Sequence, residues 1–571
     1  MTATSLTLYS ALSATLSAAA REISDAGAHF EAPLPPRDPK HGNYASSAAL
    51  ALARVTKRNP RDVANELCAK IESYFPQMSA QVAGPGFVNV TFNPDLLLDI
   101  MQEAAEAGAD YGSQDYGDDV ILEYGSANPT GPLHIGHARG LIIGSAMTNL
   151  LRKAGHNVKT EYYVNDAGGQ VAELARSVMF RVNELTGRPN AGNRPAYPGA
   201  YVAEIARLMI AERPELANAA NPDVSPTGEV ARFAVSASMK SIVSDLSALG
   251  ISFDSFVYES EITSEDIQDL FSELSESGLL YVGTLPALPG KPPSGPRQIF
   301  KSTAYGDDQD RALTRDDGSL TYFANDCVNH ARKSREAKRL ITVLGEDHAG
   351  YVARIKALVA GLNTGADLTV PIVRTVHLMR DGKHLVMSKR AGTFETVRDL
   401  LDEVPQDVLR MSMLTRSPDG AVSFDLDVAV KDGATNPVWG VNYAHARLCS
   451  VIEKSEEYVL GTPGGEMSTE ERLVADLVAD WPRIVQVSAR ALEPHRVAVF
   501  ARSLADAVNA WWSAGNADPS QRVLSESDPA ATARRVLVSK AAQATLASAL
   551  GVIGVAPAMK MNRLDRTVSL E

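Results

Sequence analysis

The sequence predicts an α/β chain in three parts: a parallel-sheet domain carrying an insertion, a small α+β domain before it, and an all-α helical bundle after it. Three observations carry this. Apolar strand-like runs alternate with helix-like periodicity from about residue 116 onward. Crossovers such as Val120–Leu122, then Leu141–Leu151, then Val158–Val164 are βαβ units, which imply parallel strands. From about residue 426 strand signals vanish and helix follows helix.

Bulk properties bound the rest. A chain of 571 residues is too long for one ordinary domain; the length suggests about three or four. Hydrophobic content of 45% and charged content of 22% suit a soluble globular protein. The net charge of −14 argues against a protein that coats nucleic acid non-specifically, while leaving room for a local basic groove. Cys68, Cys327 and Cys449 are far apart, so neither a disulfide framework nor a Cys-rich zinc site is expected, and a reducing cytoplasm fits. No metal site is expected. The first residues lack a basic leader, and Leu8, Leu12, Leu16 and Ile23 read as an amphipathic helix, although an organellar transit peptide would share some of these traits. No uninterrupted apolar run approaches membrane-span length.

Residues 1–115 hold three helical patterns and, after a Gly-Pro-Gly turn, an alternating strand with Val88, Val90 and Phe92 on one face. Residues 116–425 form the parallel-sheet domain. Its stretch from about 171 to 300 is mostly helical in pattern and reads as an insertion between two halves of one sheet. Residues 426–571 supply helical patterns at 439–456, 468–491, 493–515 and 530–553. No internal repeat is present.

The stretch EYGSANPTGPLHIGHAR, residues 123–139, organises the chain. Strand, Gly/Pro/Asn loop and helix start follow one another. Free N–H groups and the dipole at such a helix start favour anions. Pro132 fixes the approach, and Gly136 lets a base or ribose lie against the backbone. His134 and His137 can donate hydrogen bonds to a phosphate as charge develops, which is electrostatic catalysis of nucleotidyl transfer. Two histidines at a helix cap would look the same, but the surrounding strand and loop favour chemistry. A second basic loop follows a strand and a turn: Met387, Ser388, Lys389 and Arg390. Such a loop can close over a triphosphate and neutralise departing pyrophosphate. Gly345-Glu346-Asp347-His348 follows a strand and opens a helix, a position suited to ribose or adenine contacts. A plain strand-to-helix turn would read the same way. Asn165 and Asp166, at the end of the next strand, are weaker candidates for substrate contact.

The two motifs resemble those of a known family. His134-Ile135-Gly136-His137 is the HIGH signature of class I aminoacyl-tRNA synthetases, and Met387-Ser388-Lys389 matches the core of that class's KMSKS loop. Val386 and Arg390 depart from the loop's first lysine and last serine. MSKRAGTF and ANPTGPLHIGHARG closely resemble the arginyl-tRNA synthetase forms. DPKHGNYASSAALALA and VAGPGFVNVTF resemble that family's N-terminal extension, and VNYAHARLCSV the start of its helical anticodon-binding domain.

The resemblance implies a Rossmann-like catalytic domain, with the first domain contacting tRNA. It implies ligation of L-arginine to the 3′ end of arginine tRNA through arginyl-adenylate, with ATP and its Mg2+ and no tightly bound cofactor. It implies that activation usually needs the tRNA; no editing domain is expected, because arginine's charge and planar fork let the first site reject uncharged analogues. A cytoplasmic monomer without membrane contact is expected. Catalysis would fall on His134, His137 and Lys389, and ATP binding on Pro132, Gly136, Asp347, His348, Met387, Ser388 and Arg390. Some relatives with degenerate second loops carry a lysine before HIGH. Thr130, Gly131 and Pro132 stand there in this chain, so the cationic role rests on Lys389. For arginine the family's positions are Glu123, Ser126 and Asn128 on the first loop, with Tyr322 and Asp326 four residues apart on a helix. A guanidinium needs carboxylates or planar acceptors in a fork, which agrees. An exposed helix pair would have the same spacing as Tyr322 and Asp326. Trp439, Tyr443 and Arg447 lie at i, i+4 and i+8; they suit stacking on unpaired anticodon bases, and equally a core stripe.

Two alternatives remain at this point. Another class I synthetase would be expected to show zinc-type cysteine clusters or an apolar amino-acid pocket. A tRNA-binding paralogue without activity would not need both histidines and Lys389.

Overall fold

A computed structural model describes residues 5–23, 30, 32–190, 195–286, 295–385, 396–431, 433 and 436–561. The chain divides into two compact units, residues 116–431 and residues 1–115 with 432–571.

The middle unit is built on a five-stranded parallel sheet. Its elements are β1 (Asp119–Gly125), α1 (Ile135–Lys153), β2 (Asn157–Val164), β3 (Ser255–Tyr258), α2 (Tyr322–Glu336), β4 (Arg339–Thr342) and β5 (Asp367–Thr369). The strand order is β5-β4-β1-β2-β3, every pair parallel. The chain therefore steps outward from β1 through β2 to β3, then returns to the other side of β1. The switch point lies between β1 and β4, where open α/β sheets leave a crevice at the strands' carboxyl ends. Glu123 and Thr342 are paired residues at that end.

Each face of the sheet is covered for a readable reason. β1 is apolar and buried along almost its whole length, as a central parallel strand must be. On one face α2 lays Phe323, Ala324, Cys327, Val328 and Ala331 into a core with Ile121, Leu340 and Leu358. These positions fall on one helical stripe. On the other face α1 approaches so closely at Gly144 that a Cβ there would overlap the Tyr124 ring. Only glycine permits that contact.

The span read as an insertion contains helices Gly169–Thr186, Ala200–Glu212 and Glu229–Ala248. It differs from the helical expectation in two places. β3 lies inside it and pairs with β2 as the sheet's edge, and a separate antiparallel sheet joins Leu280–Gly283, Arg297–Phe300 and Arg311–Ala312. Four-residue strands flanked by long helices leave little periodicity to read. The apolar run at 370–378, whose pattern reads as one strand, divides into Ile372–Val373 and Val376–Arg380.

The other unit joins the two ends of the chain. Its antiparallel sheet orders Tyr44–Ser46, Phe87–Phe92 and Met78–Ala83, with Val88, Val90 and Phe92 buried as the alternation predicts. Helices Trp439–Ser455, Thr469–Ala491, His495–Ala517 and Pro529–Ile553 form the bundle. The last helix is long and apolar enough to cross a membrane, yet most of it is buried among its neighbours. A helix apolar all round is the centre of a bundle. Polar contacts tie the two ends together. The Trp481 indole donates to the Tyr111 carbonyl at 2.9 Å, and the Asn43 amide donates to Asp476 at 2.8 Å.

Candidate active site

A cavity of about 400 Å³ opens at the switch point. β1 contributes Glu123, and the loop after it Ser126 and Asn128. β2 contributes Tyr163, followed by Asn165 and, on the next helix, Gln170. Glu259 follows β3. α1 brings His137, α2 brings Tyr322, Asp326 and His330, and β4 ends in Thr342. Residues far apart in sequence converge because parallel strands all present their carboxyl ends to one edge.

α1 starts with an unusual cap. Its N-cap residue is His134, whose Nδ1 accepts the Gly136 N–H at 3.1 Å, while His137 Nδ1 accepts the His134 N–H at 3.3 Å. The reciprocal pattern is that of a capping box, with imidazoles replacing the usual Ser and Glu. The rings stack with centroids 3.7 Å apart. Because each Nδ1 accepts, each neutral ring carries its proton on Nε2. Burial, with His134 beside it, holds His137 down at about 4, and desolvation also lowers His134. Two neutral N–H donors therefore stand at the positive end of a helix.

The second motif, with Met387, Ser388, Lys389 and Arg390, lies outside the described residues. The segment after it is anchored beside the first motif, and the residue before it bonds back to strand Val376–Arg380. The Val397 N–H donates to the Leu133 carbonyl at 2.8 Å, and the Leu385 N–H to the Leu378 carbonyl at 2.9 Å. The buried Arg139 guanidinium, two residues after His137, donates to the Arg374 carbonyl at 2.7 Å and the Ser417 carbonyl at 2.9 Å. α1 is thereby tied to the segment just before strand Val376–Arg380 and to the loop at Ser417.

Negative charge collects in the cavity. Glu123 Oε2 accepts from buried Lys333 at 2.9 Å and from Asn329 at 3.1 Å. His330 donates from Nδ1 to the Asp326 carbonyl at 2.9 Å, which leaves Nε2 to face Lys333 and Thr342, each at 3.3 Å. Burial, then Glu123 and Glu259, push the Asp326 carboxyl up to about 7, with Lys333 and Arg354 only partly opposing. Burial also raises Glu259, whose carboxylate accepts from Asn325. Lys333 and Arg354 thus stand against three carboxylates. A planar cation with N–H groups on several sides would complete the balance.

Known proteins resemble this chain along most of its length. Residues 7–92 match the model of the arginyl tRNA synthetase N terminal domain, residues 102–190 that of the tRNA synthetases class I (R) catalytic domain, and residues 441–561 that of the DALR anticodon binding domain. An arginine–tRNA ligase of Gluconobacter oxydans is 40% identical over 559 residues, covering 92% of this chain and 93% of that one. One from Methylorubrum extorquens is 39% identical, covering 92% and 94%. The chain belongs to the arginyl-tRNA synthetase family. Its activity is that of an aminoacyl-tRNA ligase which charges tRNA with arginine. The Thermus thermophilus arginyl-tRNA synthetase has the same fold, with a TM-score of 0.72 at 21% identity, covering 97% of this chain and all of that one.

Against that family, the expected residues fall into groups. Glu123, Ser126, Asn128, His137, Tyr322, Asp326 and His348 line the cavity. His134 stands beside it through its stack on His137. Pro132, Gly136 and Asp347 do not line it. Asn128 donates to Gln170 at 2.8 Å, and Glu123 already has a lysine partner. Asn165 lines the cavity, whereas Asp166 accepts from the Ser260 N–H at 2.9 Å. In the bundle Trp439 and Tyr443 stack at 4.8 Å, and the Arg447 guanidinium lies between Tyr443 at 4.5 Å and Trp512 at 4.9 Å. Sequence reasoning missed Tyr163, Gln170, Glu259 and His330. Gln170 was close enough to Asn165 and Asp166 to be found; Glu259 carried no local signal.

Proposed function

We propose that this cavity binds arginine with its guanidinium toward Asp326, Glu123 and Glu259, and ATP toward His134 and His137. The observation that carries the reading is the excess of buried carboxylate over cation around Asp326. In the first step a carboxylate oxygen of arginine attacks the α-phosphorus of ATP. The P–O bond to pyrophosphate breaks and arginyl-adenylate forms. The Nε2–H groups of His134 and His137 donate to phosphate oxygens as charge grows there. Lys389 neutralises the leaving pyrophosphate, with Met387, Ser388 and Arg390 closing over it. Mg2+ enters with ATP as part of the substrate. Pro132, Gly136, Asp347 and His348 border the adenosine, and Ser126, Asn128 and Tyr322 hold arginine. In the second step a terminal ribose hydroxyl of arginine tRNA attacks the carbonyl and AMP leaves.

Residues 1–115 contact the tRNA, and Trp439, Tyr443 and Arg447 stack on anticodon bases. The enzyme acts as a cytoplasmic monomer, and activation requires the tRNA. Pyrophosphate exchange tested with every amino acid, with and without arginine tRNA, examines the reading. Exchange with arginine alone among them is expected; exchange with cysteine or methionine and none with arginine would end it.

A further inference from the structure

We propose that Tyr163 is a specificity-determining residue for the guanidinium end of arginine, its hydroxyl oxygen accepting one guanidinium N–H. The inference rests on the function proposed above. Tyr163 sits near the carboxyl end of β2, two residues after Glu161, and so shares a sheet face with it. Glu161 is the β-ladder partner of Glu123, so this is also the Glu123 face. The Tyr163 side chain lines the cavity together with Glu123, Glu259 and Asp326.

The residue is 7% exposed, and among the described residues its hydroxyl has no hydrogen-bond partner. The adjacent tyrosine shows the usual arrangement: the Tyr162 hydroxyl donates to the Ala127 carbonyl at 3.1 Å. A buried hydroxyl without a partner is uncommon, because folding strips its water and returns nothing. Such a group in the wall of a ligand cavity is satisfied when the ligand arrives. Burial and the surrounding carboxylates raise the phenol, which keeps it protonated. Its oxygen can then accept an N–H from a ligand. An ammonium is compact and reaches few acceptors. A guanidinium spreads five N–H groups over a plane and can use carboxylates and the phenol together.

Tyr163→Phe removes this one oxygen and keeps the ring. Arginine-dependent exchange in the presence of tRNA should show the KM for arginine raised about ten- to a hundredfold, with the KM for ATP unchanged. Agmatine, which has the guanidinium but no carboxylate, should lose inhibition by the same factor. The thermal midpoint of the ligand-free variant should equal or exceed that of the parent, because the group removed is unsatisfied there. An unchanged KM for arginine would overturn the proposal. So would a rise confined to ATP, or weaker arginine binding with agmatine unaffected. A lowered ligand-free midpoint with all constants falling together would mark a structural role and also overturn it. A parent protein that exchanges with another amino acid and not with arginine would instead defeat the underlying reading, before any variant is made.

Discussion

Two regions bury charge, and they do it in opposite ways. In the helical bundle Arg534 and Glu471 are each almost fully buried and form a two-pronged pair at 2.7 and 2.9 Å, with the Gly464 carbonyl taking a further Arg534 N–H. That pair is complete without a ligand. In the cleft Lys333 is shared with His330 and, among the described residues, pairs with Glu123, so Asp326 and Glu259 face the cavity with less positive than negative charge around them. Charge taken out of water therefore means different things in the two places. A closed pair maintains a fold, and an unbalanced group is what the proposed arginine would complete.

The sharpest test of the contrast breaks the closed pair. Glu471→Ala leaves a buried guanidinium unpaired and should cost about 3–5 kcal/mol of stability. All four tryptophans lie in the unit containing the bundle, so intrinsic fluorescence during denaturant unfolding reads it directly. Turnover per folded molecule should be unchanged. His137→Ala tests the opposite case: exchange and charging should fall by about 10²–10³-fold, as when one preorganised donor is lost. Its stability should fall only by the loss of one cap contact, about 1 kcal/mol and less than for Glu471→Ala, and tRNA binding should survive. Lys389→Ala should behave similarly, and unchanged turnover in both would remove the proposed roles.

Asp326→Asn comes next. It should raise the arginine KM by about tenfold or more, the cost of one charge-assisted bond, while the ATP KM stays put. The smallest effect is in pH. In the empty cleft the Asp326 value of about 7 lies above its unfolded value, so its stabilising contribution is full at low pH and is lost as pH rises through about 7. Bound arginine favours the ionised form. The arginine-induced rise in thermal midpoint should therefore grow as pH rises through about 7, and lose that dependence in Asp326→Asn.

Much of the cleft was readable because its signals are local. HIGH occupies four consecutive residues, and its loop places Glu123, Ser126 and Asn128 within one short segment. Tyr322 and Asp326 sit one helical turn apart, so both reach the cavity from the first turns of α2. Glu259 and Tyr163 were not readable. The strand before Glu259 is four residues long, lies among long helices, and gains its meaning only by pairing with β2. Nor could sequence spacing show that Lys333 and Asn329 occupy Glu123 Oε2, since the contact joins residues about two hundred positions apart.

By itself the sequence determined the α/β class, the all-α end, the two short motifs and the family, because periodicity and short motifs are properties of neighbouring residues. The tertiary structure decided where the switch point falls, how the chain's two ends combine into one unit, and which carboxylates share one cavity. Those depend on strand order and on burial. Whether a carboxylate is a paired support or an unbalanced receptor is set by the dielectric and the charges around it, and these arise only when distant segments fold together.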